Sequence, residues 1–417
     1  MLVGYFLEHN RYLNLLGIVV IIGIAWLFSQ KRSRINYKLI VNALALQILI
    51  AFCALKTAAG AYVLTSLSHG VEYLYFYART GISFIFGSLA ESTNNPWGTI
   101  FAVQVLPMII FFGAFMALLF HFGIIQRLVA IIGYCIRPIL GTTGAETLCA
   151  IANSFLGQTE APLLIRNYLQ NMTKSEMLVV MVSGMGTISG SILAIYASMG
   201  APIKALLTAS VMAIPATIMI AKMLLPESEE RDVQSENVVI ERTSKNVFDA
   251  LSTGTSDGLQ LTLNVAAMLL SFIAIMAMVN GILSGSTAYI GSFFNINMPI
   301  VTLDYIFAKV GYPFAYLLGF VGDDAHKIAE LLGTKVGINE FIAYYKMVSM
   351  HLSDRVQMIV TFALCGFSNF SCIGIQVGGI GVLVPSKRHW LTELGLYAVL
   401  GGALSNLLTA MIAALFI

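Results

Sequence analysis

The chain has 417 residues, 58% hydrophobic and only 11% charged, with a formal net charge of +2. A soluble domain carries about 25% charged residues, so this composition excludes a soluble enzyme and defines a polytopic membrane protein. No basic stripe runs along any segment, which excludes a nucleic-acid partner. The scattered Cys53, Cys135, Cys149, Cys365 and Cys372 form neither a disulfide framework nor a zinc pair.

In chain order, residues 13–28 form the first spanning helix, long enough to be retained rather than cleaved as a signal peptide. Lys31, Arg32, Arg34 and Lys38 follow and place that loop in the cytoplasm, with the N-terminus outside. Residues 39–55 return. Residues 71–89 are rich in aromatics and carry Arg79, which suits a helix lying at the headgroups. Asn94-Asn95-Pro96 breaks the chain, residues 100–120 span inward, and residues 124–140 with Arg127 and Arg137 run along the cytoplasmic face.

Two short apolar arms, 142–156 and 161–169, then flank Gly157-Gln158-Thr159-Glu160-Ala161-Pro162. Each is shorter than the about 20 residues needed to cross a bilayer core, so the pair reads as a re-entrant hairpin with a polar tip. An ionisable Glu160 at that depth marks a functional site. Residues 177–199 cross outward, interrupted at 183–190, and residues 205–225 return. The charged stretch 226–245 is a solvated linker. Residues 261–283 span outward and 303–320 are expected at the interface. A second hairpin, 325–345, has Asn339 and Glu340 at its tip, with Lys335 expected near the mouth. Residues 358–377 are broken at 366–371, Lys387 and Arg388 mark a cytoplasmic loop, and residues 391–417 exit outward. The expected fold is all-α, with eight transmembrane helices, two re-entrant hairpins and both termini outside.

Two units share one order of parts: a hairpin with a glutamate tip, a broken helix, a full span. Glu160 precedes Ser189 by 29 residues, and Glu340 precedes Asn369 by the same 29. The charge argument has the first hairpin enter from the cytoplasm and the second from outside. That is an inverted repeat, which in secondary transporters puts the substrate at the midplane between discontinuous helices. The expected units are scaffold helices 1–121, a first transport repeat 122–225, the linker 226–245, a scaffold span and interfacial helix 246–320, and a second repeat 321–417. The tips and breaks offer many two-way hydrogen bonders and two carboxylates. Such a set suits a neutral, hydroxylated or heterocyclic solute, with Phe367 and Phe370 available to pack on a flat ring.

Three separated motifs carry a family resemblance. Gly157-Gln158-Thr159-Glu160-Ala161-Pro162-Leu163, then Gly333-Thr334-Lys335 with Asn339-Glu340-Phe341, then Cys365-Gly366-Phe367-Ser368-Asn369-Phe370 closely resemble the concentrative nucleoside transporters of the bacterial eight-span type. The resemblance runs from about residue 13 to the C-terminus. It implies a cation-coupled importer of nucleosides such as uridine, cytidine or adenosine, assembled as a homotrimer in the bilayer of a bacterial inner membrane. The nucleobase side of the family's pocket corresponds to Gly157, Gln158, Thr159, Glu160 and Ile192, and the ribose side to Glu340 and Asn369. A serine of the family corresponds to Cys372, beside Ser371. The sodium ligands correspond to Asn153 and Thr187, with the backbone carbonyls of Leu156 and Ile188. Neutral oxygens suit a hard cation such as sodium, and a proton is the alternative coupling ion. A membrane enzyme using the paired carboxylates is the reading from another class, but the chain has no H-E-x-x-H or phosphate-loop motif.

Overall fold

The computed structural model describes residues 2–91, 100–228, 244–294 and 299–417. The Asn94-Asn95-Pro96 break and most of the charged linker lie outside them. The described chain is helical throughout, and length and composition single out seven helices able to cross a membrane.

The N-terminal helices are α1 (Arg11–Leu27), α2 (Tyr37–Lys56) and α3 (Ala58–Phe86). Helix α3 is longer than the aromatic stretch expected at 71–89. It starts directly after α2, where Thr57 accepts from the Gly60 N–H at 3.0 Å and caps the new helix. Tyr73, Phe76, Tyr77 and Phe84 of α3 are exposed. Helix α4 (Leu106–His121) follows, and α5 (Ile124–Leu140) runs between two left-handed glycines, Gly123 (φ 74°) and Gly141 (φ 64°). Its buried Ile125, Val129, Ile136 and Leu140 form one apolar face.

The first hairpin is α6 (Gly144–Asn153), a tip, and a return of two single turns, Ala161–Leu164 and Arg166–Leu169. The return arm is less regular than the continuous arm expected, because Pro162 sits in its first turn and Ile165 leaves helical geometry. Helix α6 is about 15 Å long at about 1.5 Å per residue, half a bilayer core. Helices α7 (Lys174–Gly186) and α8 (Gly190–Ser198) are the two halves of the first broken span, followed by α9 (Ile203–Leu224). A reciprocal Thr173–Glu176 cap opens α7. At the base of the hairpin, Lys222 reaches Glu146 at 2.8 Å and Glu227 at 3.3 Å.

Helix α10 (Val247–Phe294) has 48 residues and extends the span expected at 261–283 in both directions. It packs along α4 through glycines: a Cβ on Gly258 would stand 2.8 Å from the Ile110 Cα, so only a bare backbone fits there. Helix α11 (Leu303–Leu317) bends by 117° into α12 (Gly322–Gly337), the first arm of the second hairpin. Its other arm is α13 (Glu340–Ser349), capped by Asn339, whose Oδ1 accepts from the Ile342 N–H at 2.9 Å. Glu340 is therefore the first residue of a helix, and the tip is only Ile338 and Asn339. Lys346 holds the base through Asp304 at 2.6 Å and Glu330 at 2.8 Å.

The second broken span is α14 (Asp354–Leu364) and α15 (Ser371–Leu383), and α16 (Arg388–Ala414) closes the chain. Helix α16 is the hub, packed against α1, α7, α9, α14 and α15. Burial separates an inner body from an outer one. The apolar window of the first broken span is 89% buried, whereas that of α10 is only 6% buried by the rest of the chain.

Candidate functional site

The two breaks lie side by side. Helix α7 stops at Gly186 and Thr187 turns extended, so the last carbonyls of the half-helix lose their helical partners. Asn406, buried in α16, takes them up: its Nδ2 donates to the Gly186 carbonyl at 2.7 Å and to the Cys365 carbonyl, just past the end of α14, at 2.8 Å. The Phe367 N–H donates to the Thr187 carbonyl at 3.3 Å, from one break to the other.

Around this crossing sit two polar groups. The first joins the hairpin tip to the first break. Asn153 ends α6 and donates through Nδ2 to the Ser183 hydroxyl at 2.9 Å. The Thr187 hydroxyl lies 3.0 Å from the Asn153 carbonyl and 2.7 Å from the Ser183 carbonyl. The Asn153 Oδ1 is buried without a hydrogen-bond partner. Such an orphaned acceptor is costly, and beside two carbonyls and a hydroxyl it is a ligand set ready for a small hard cation. Leu156 and Ile188 lie in the non-helical tip and break, so their carbonyls are outside any helical ladder. These neutral oxygens fit sodium.

The second group joins the hairpins. The Glu340 carboxylate, 6% exposed, accepts from the Tyr196 hydroxyl at 3.0 Å and from the Asn369 Nδ2 at 3.0 Å. The Asn369 Oδ1 accepts from the Ser371 hydroxyl at 2.6 Å and the Cys372 N–H at 3.1 Å. Gln158, from the other hairpin, donates through Nε2 to the Cys372 sulfur at 3.3 Å, and its Oε1 is buried without a partner. Gly184 permits this approach, since a Cβ there would meet the Gln158 Cβ at 3.0 Å and the Gln376 Nε2 at 2.7 Å. Thr159 rests against Gly379 of α15.

The structure thus draws Gln158, Cys372, Asn369 and Glu340 into one chain of hydrogen bonds, and Asn153 and Thr187 into another. The two glutamates do not meet directly. Glu160 is exposed, and its carboxylate accepts from the Gly157 N–H at 3.2 Å, closing its own tip. Ile192 occupies the first turn of α8, one turn before Tyr196 on the same side. Phe367 is half-buried between the breaks, and Phe370 is 54% exposed.

Three further residues were not singled out as functional from the sequence. Tyr196 holds Glu340 and stacks on Tyr344 with centroids 4.1 Å apart. Asn406 is a lone amide in an apolar span, a signal that intramembrane polarity could have supplied. Lys335, expected near the mouth, is instead 2% exposed between the breaks.

Re-entrant hairpins of opposite repeats, with broken helices crossing between them, define a secondary transporter. Comparison with known proteins names the kind. The family description "Na+ dependent nucleoside transporter" matches this chain in its N-terminal part at residues 16–89 and its C-terminal part at 205–414. A "Nucleoside recognition" Gate description matches residues 102–203. The chain belongs to the concentrative nucleoside transporter family, whose members are transporters and not enzymes. It is 42% identical to an uncharacterised transporter of Haemophilus influenzae, over 97% of each chain. It is 37% identical to the nucleoside permease NupC of Helicobacter pylori, also over 97% of each. Among solved structures, CNTnw in an inward-facing substrate-bound state matches with a TM-score of 0.89 at 38% identity over 97% of both chains. A substituted form of CNTnw in an outward-facing state matches at 0.90, with 37% identity and 97% of both chains covered.

Proposed function

We propose that this chain is a sodium-coupled symporter that imports nucleosides, uridine, cytidine or adenosine among them, across a bacterial inner membrane. One observation carries the reading. The buried Glu340 and Asn369 of the second repeat are linked to Gln158 of the first through Cys372, so the groups proposed for ribose and for base belong to one hydrogen-bonded chain. Glu340 has acceptor capacity left for ribose hydroxyls, and the free Gln158 Oε1 can accept from a base amine. Gly157, Thr159, Glu160 and Ile192 complete the base side, and Phe367 packs on the ring.

Sodium, when bound, would be held by Asn153 and Thr187 with the carbonyls of Leu156 and Ile188. Those residues sit between the hairpin tip and the first break, so occupancy fixes the tip that carries Gln158. The repeats 122–225 and 321–417 then move against the scaffold of 1–121 and 246–320. Both termini face outward. The uncovered faces of α3 and α10 are available to lipid and to neighbouring copies in a homotrimer.

The test is uptake of radiolabelled uridine and adenosine into proteoliposomes. Uptake above equilibrium under an inward sodium gradient supports the proposal. Concentrative uptake driven by an acid-outside gradient, with no sodium effect, selects proton coupling instead. In that reading Glu340, which accepts from the Tyr196 hydroxyl and the Asn369 amide, is the proton carrier.

A further inference from the structure

The second break contains a buried lysine whose hydrogen bonds are separate from those of the proposed substrate groups. Lys335 lies in the last turn of α12, and its Nζ donates to the Ala363 carbonyl at 2.7 Å and to the Asn406 Oδ1 at 2.6 Å. Both acceptors are neutral oxygens. A buried ammonium is held only where oxygens replace its water. Here they come from the C-terminal turn of the half-helix α14 and from the residue that ties the two breaks together. The C-terminal end of a half-helix is also where transporters of inverted-repeat design hold a coupling cation.

The repeat gives one acceptor of this ammonium a counterpart. An offset of 180 residues carries Glu160 to Glu340 and Ser189 to Asn369, and it carries Ser183 to Ala363. In the first repeat the Ser183 carbonyl accepts from the Thr187 hydroxyl at 2.7 Å, beside the unpartnered Asn153 Oδ1. In the second repeat the corresponding Ala363 carbonyl accepts from Lys335. The first repeat therefore has an acceptor to spare where the second has a tethered positive charge.

We propose that Lys335 is a built-in cation: its ammonium fills, in the second repeat, the place that the coupling ion takes in the first. The transport cycle then carries one mobile cation per nucleoside, and the second break stays closed without an ion. This rests on the assignment of the coupling cation to Asn153 and Thr187.

The experiment measures charge moved per uridine by reversal potential in proteoliposomes of the wild-type protein, then repeats it with Lys335→Gln. The wild type should move one charge per uridine. The variant should lose uptake by about tenfold or more at ordinary sodium and regain it at several-fold higher sodium. Its sodium response should steepen from a Hill coefficient of about one toward two, as a second ion enters the vacated place. Two charges per uridine in the wild type would overturn the proposal, and this measurement decides the matter even where the variant does not fold. A folded Lys335→Gln protein with wild-type rate and sodium response, or with a loss that no sodium concentration restores, would overturn it too. Failure of the wild type to couple uridine to any cation would strike the parent reading instead.

Discussion

Replacing Glu340 by Gln separates the proposed ribose contact from the structural role of the same side chain. The carboxylate faces two donors, the Tyr196 hydroxyl and the Asn369 amide, each at 3.0 Å. A Gln amide can keep both partners, because the Tyr196 hydroxyl can turn from donor to acceptor and meet Nε2, while Oε1 stays on Asn369. The fold should therefore survive, with a melting temperature in detergent close to wild type. The substrate side changes more. An ionised carboxylate with two donors satisfied has about two acceptor sites left, whereas the amide has about one, plus an unwanted donor. A ribose diol loses one hydrogen bond to a charged group, about 1.5–3 kcal/mol. That is roughly a ten- to hundredfold rise in the uridine dissociation constant. The assay is calorimetric binding of uridine to purified protein in saturating sodium, in parallel with 2′,3′-dideoxyuridine. The analogue should bind wild type and variant about equally, because the lost contact is to the diol. Uridine affinity within about threefold of wild type, or an equal loss for the dideoxy compound, would refute the assignment of Glu340 to ribose.

Other perturbations separate the remaining parts. Asn153→Ala removes the orphaned Oδ1, so the sodium concentration for half-maximal uridine uptake should rise by about tenfold or more, equivalent to about 1.4 kcal/mol, as read from sodium titrations of flux. Cys372→Ser gives the Gln158 amide a stronger acceptor than sulfur, and uridine affinity should improve a few-fold, about 0.5–1 kcal/mol. Asn406→Leu strands the carbonyls of Gly186 and Cys365 and leaves the Lys335 ammonium one oxygen short. It should destabilise the protein by about 3–5 kcal/mol, visible as a large fall in melting temperature. Gly258→Val places a Cβ against the Ile110 backbone and should cost about 1–3 kcal/mol, read by the same thermal assay.

Much of the architecture was legible because the bilayer leaves few alternatives. Apolar runs of spanning length, basic residues on alternate loops and two arms too short to cross gave the helices, the hairpins and the inverted repeat. The motif residues pointed to Glu340, Asn369 and Gln158 as candidates, and the family resemblance added Asn153. Helix lengths were less accessible. Polar residues extend α10 well beyond its apolar centre, and hydropathy stops where the apolar run stops although the helix continues. Pairings between distant elements were least accessible. Nothing local in the sequence says that Tyr196 meets Glu340, 144 positions away, or that Asn406 meets Gly186, 220 away. Lys335 was misplaced for a related reason. A lysine near a hairpin is ordinarily a snorkelling surface residue, and only the crossing of the breaks supplies the oxygens that let it stay inside.

Under the proposed site assignments, those distant pairings also give a route by which ion and solute are coupled. On the proposed assignment of the cation to Asn153 and Thr187, those residues reach the proposed substrate groups along short bonded paths. One runs through the tip to Gln158 and Cys372, another from the Thr187 carbonyl to the Phe367 N–H and on to Asn369. Under that assignment no separate signalling element is required, because the same tip carries a proposed ion ligand and a proposed base contact. A coupling built this way is reciprocal: if sodium tightens uridine by some factor, uridine tightens sodium by the same factor. Coupling energies of about 1–3 kcal/mol correspond to roughly five- to 150-fold. Breaking the first path with Gln158→Ala should reduce the effect of sodium on uridine affinity and of uridine on sodium affinity equally, in calorimetric titrations run in both orders. A loss in one order alone would mean that the tip does not connect the two ligands.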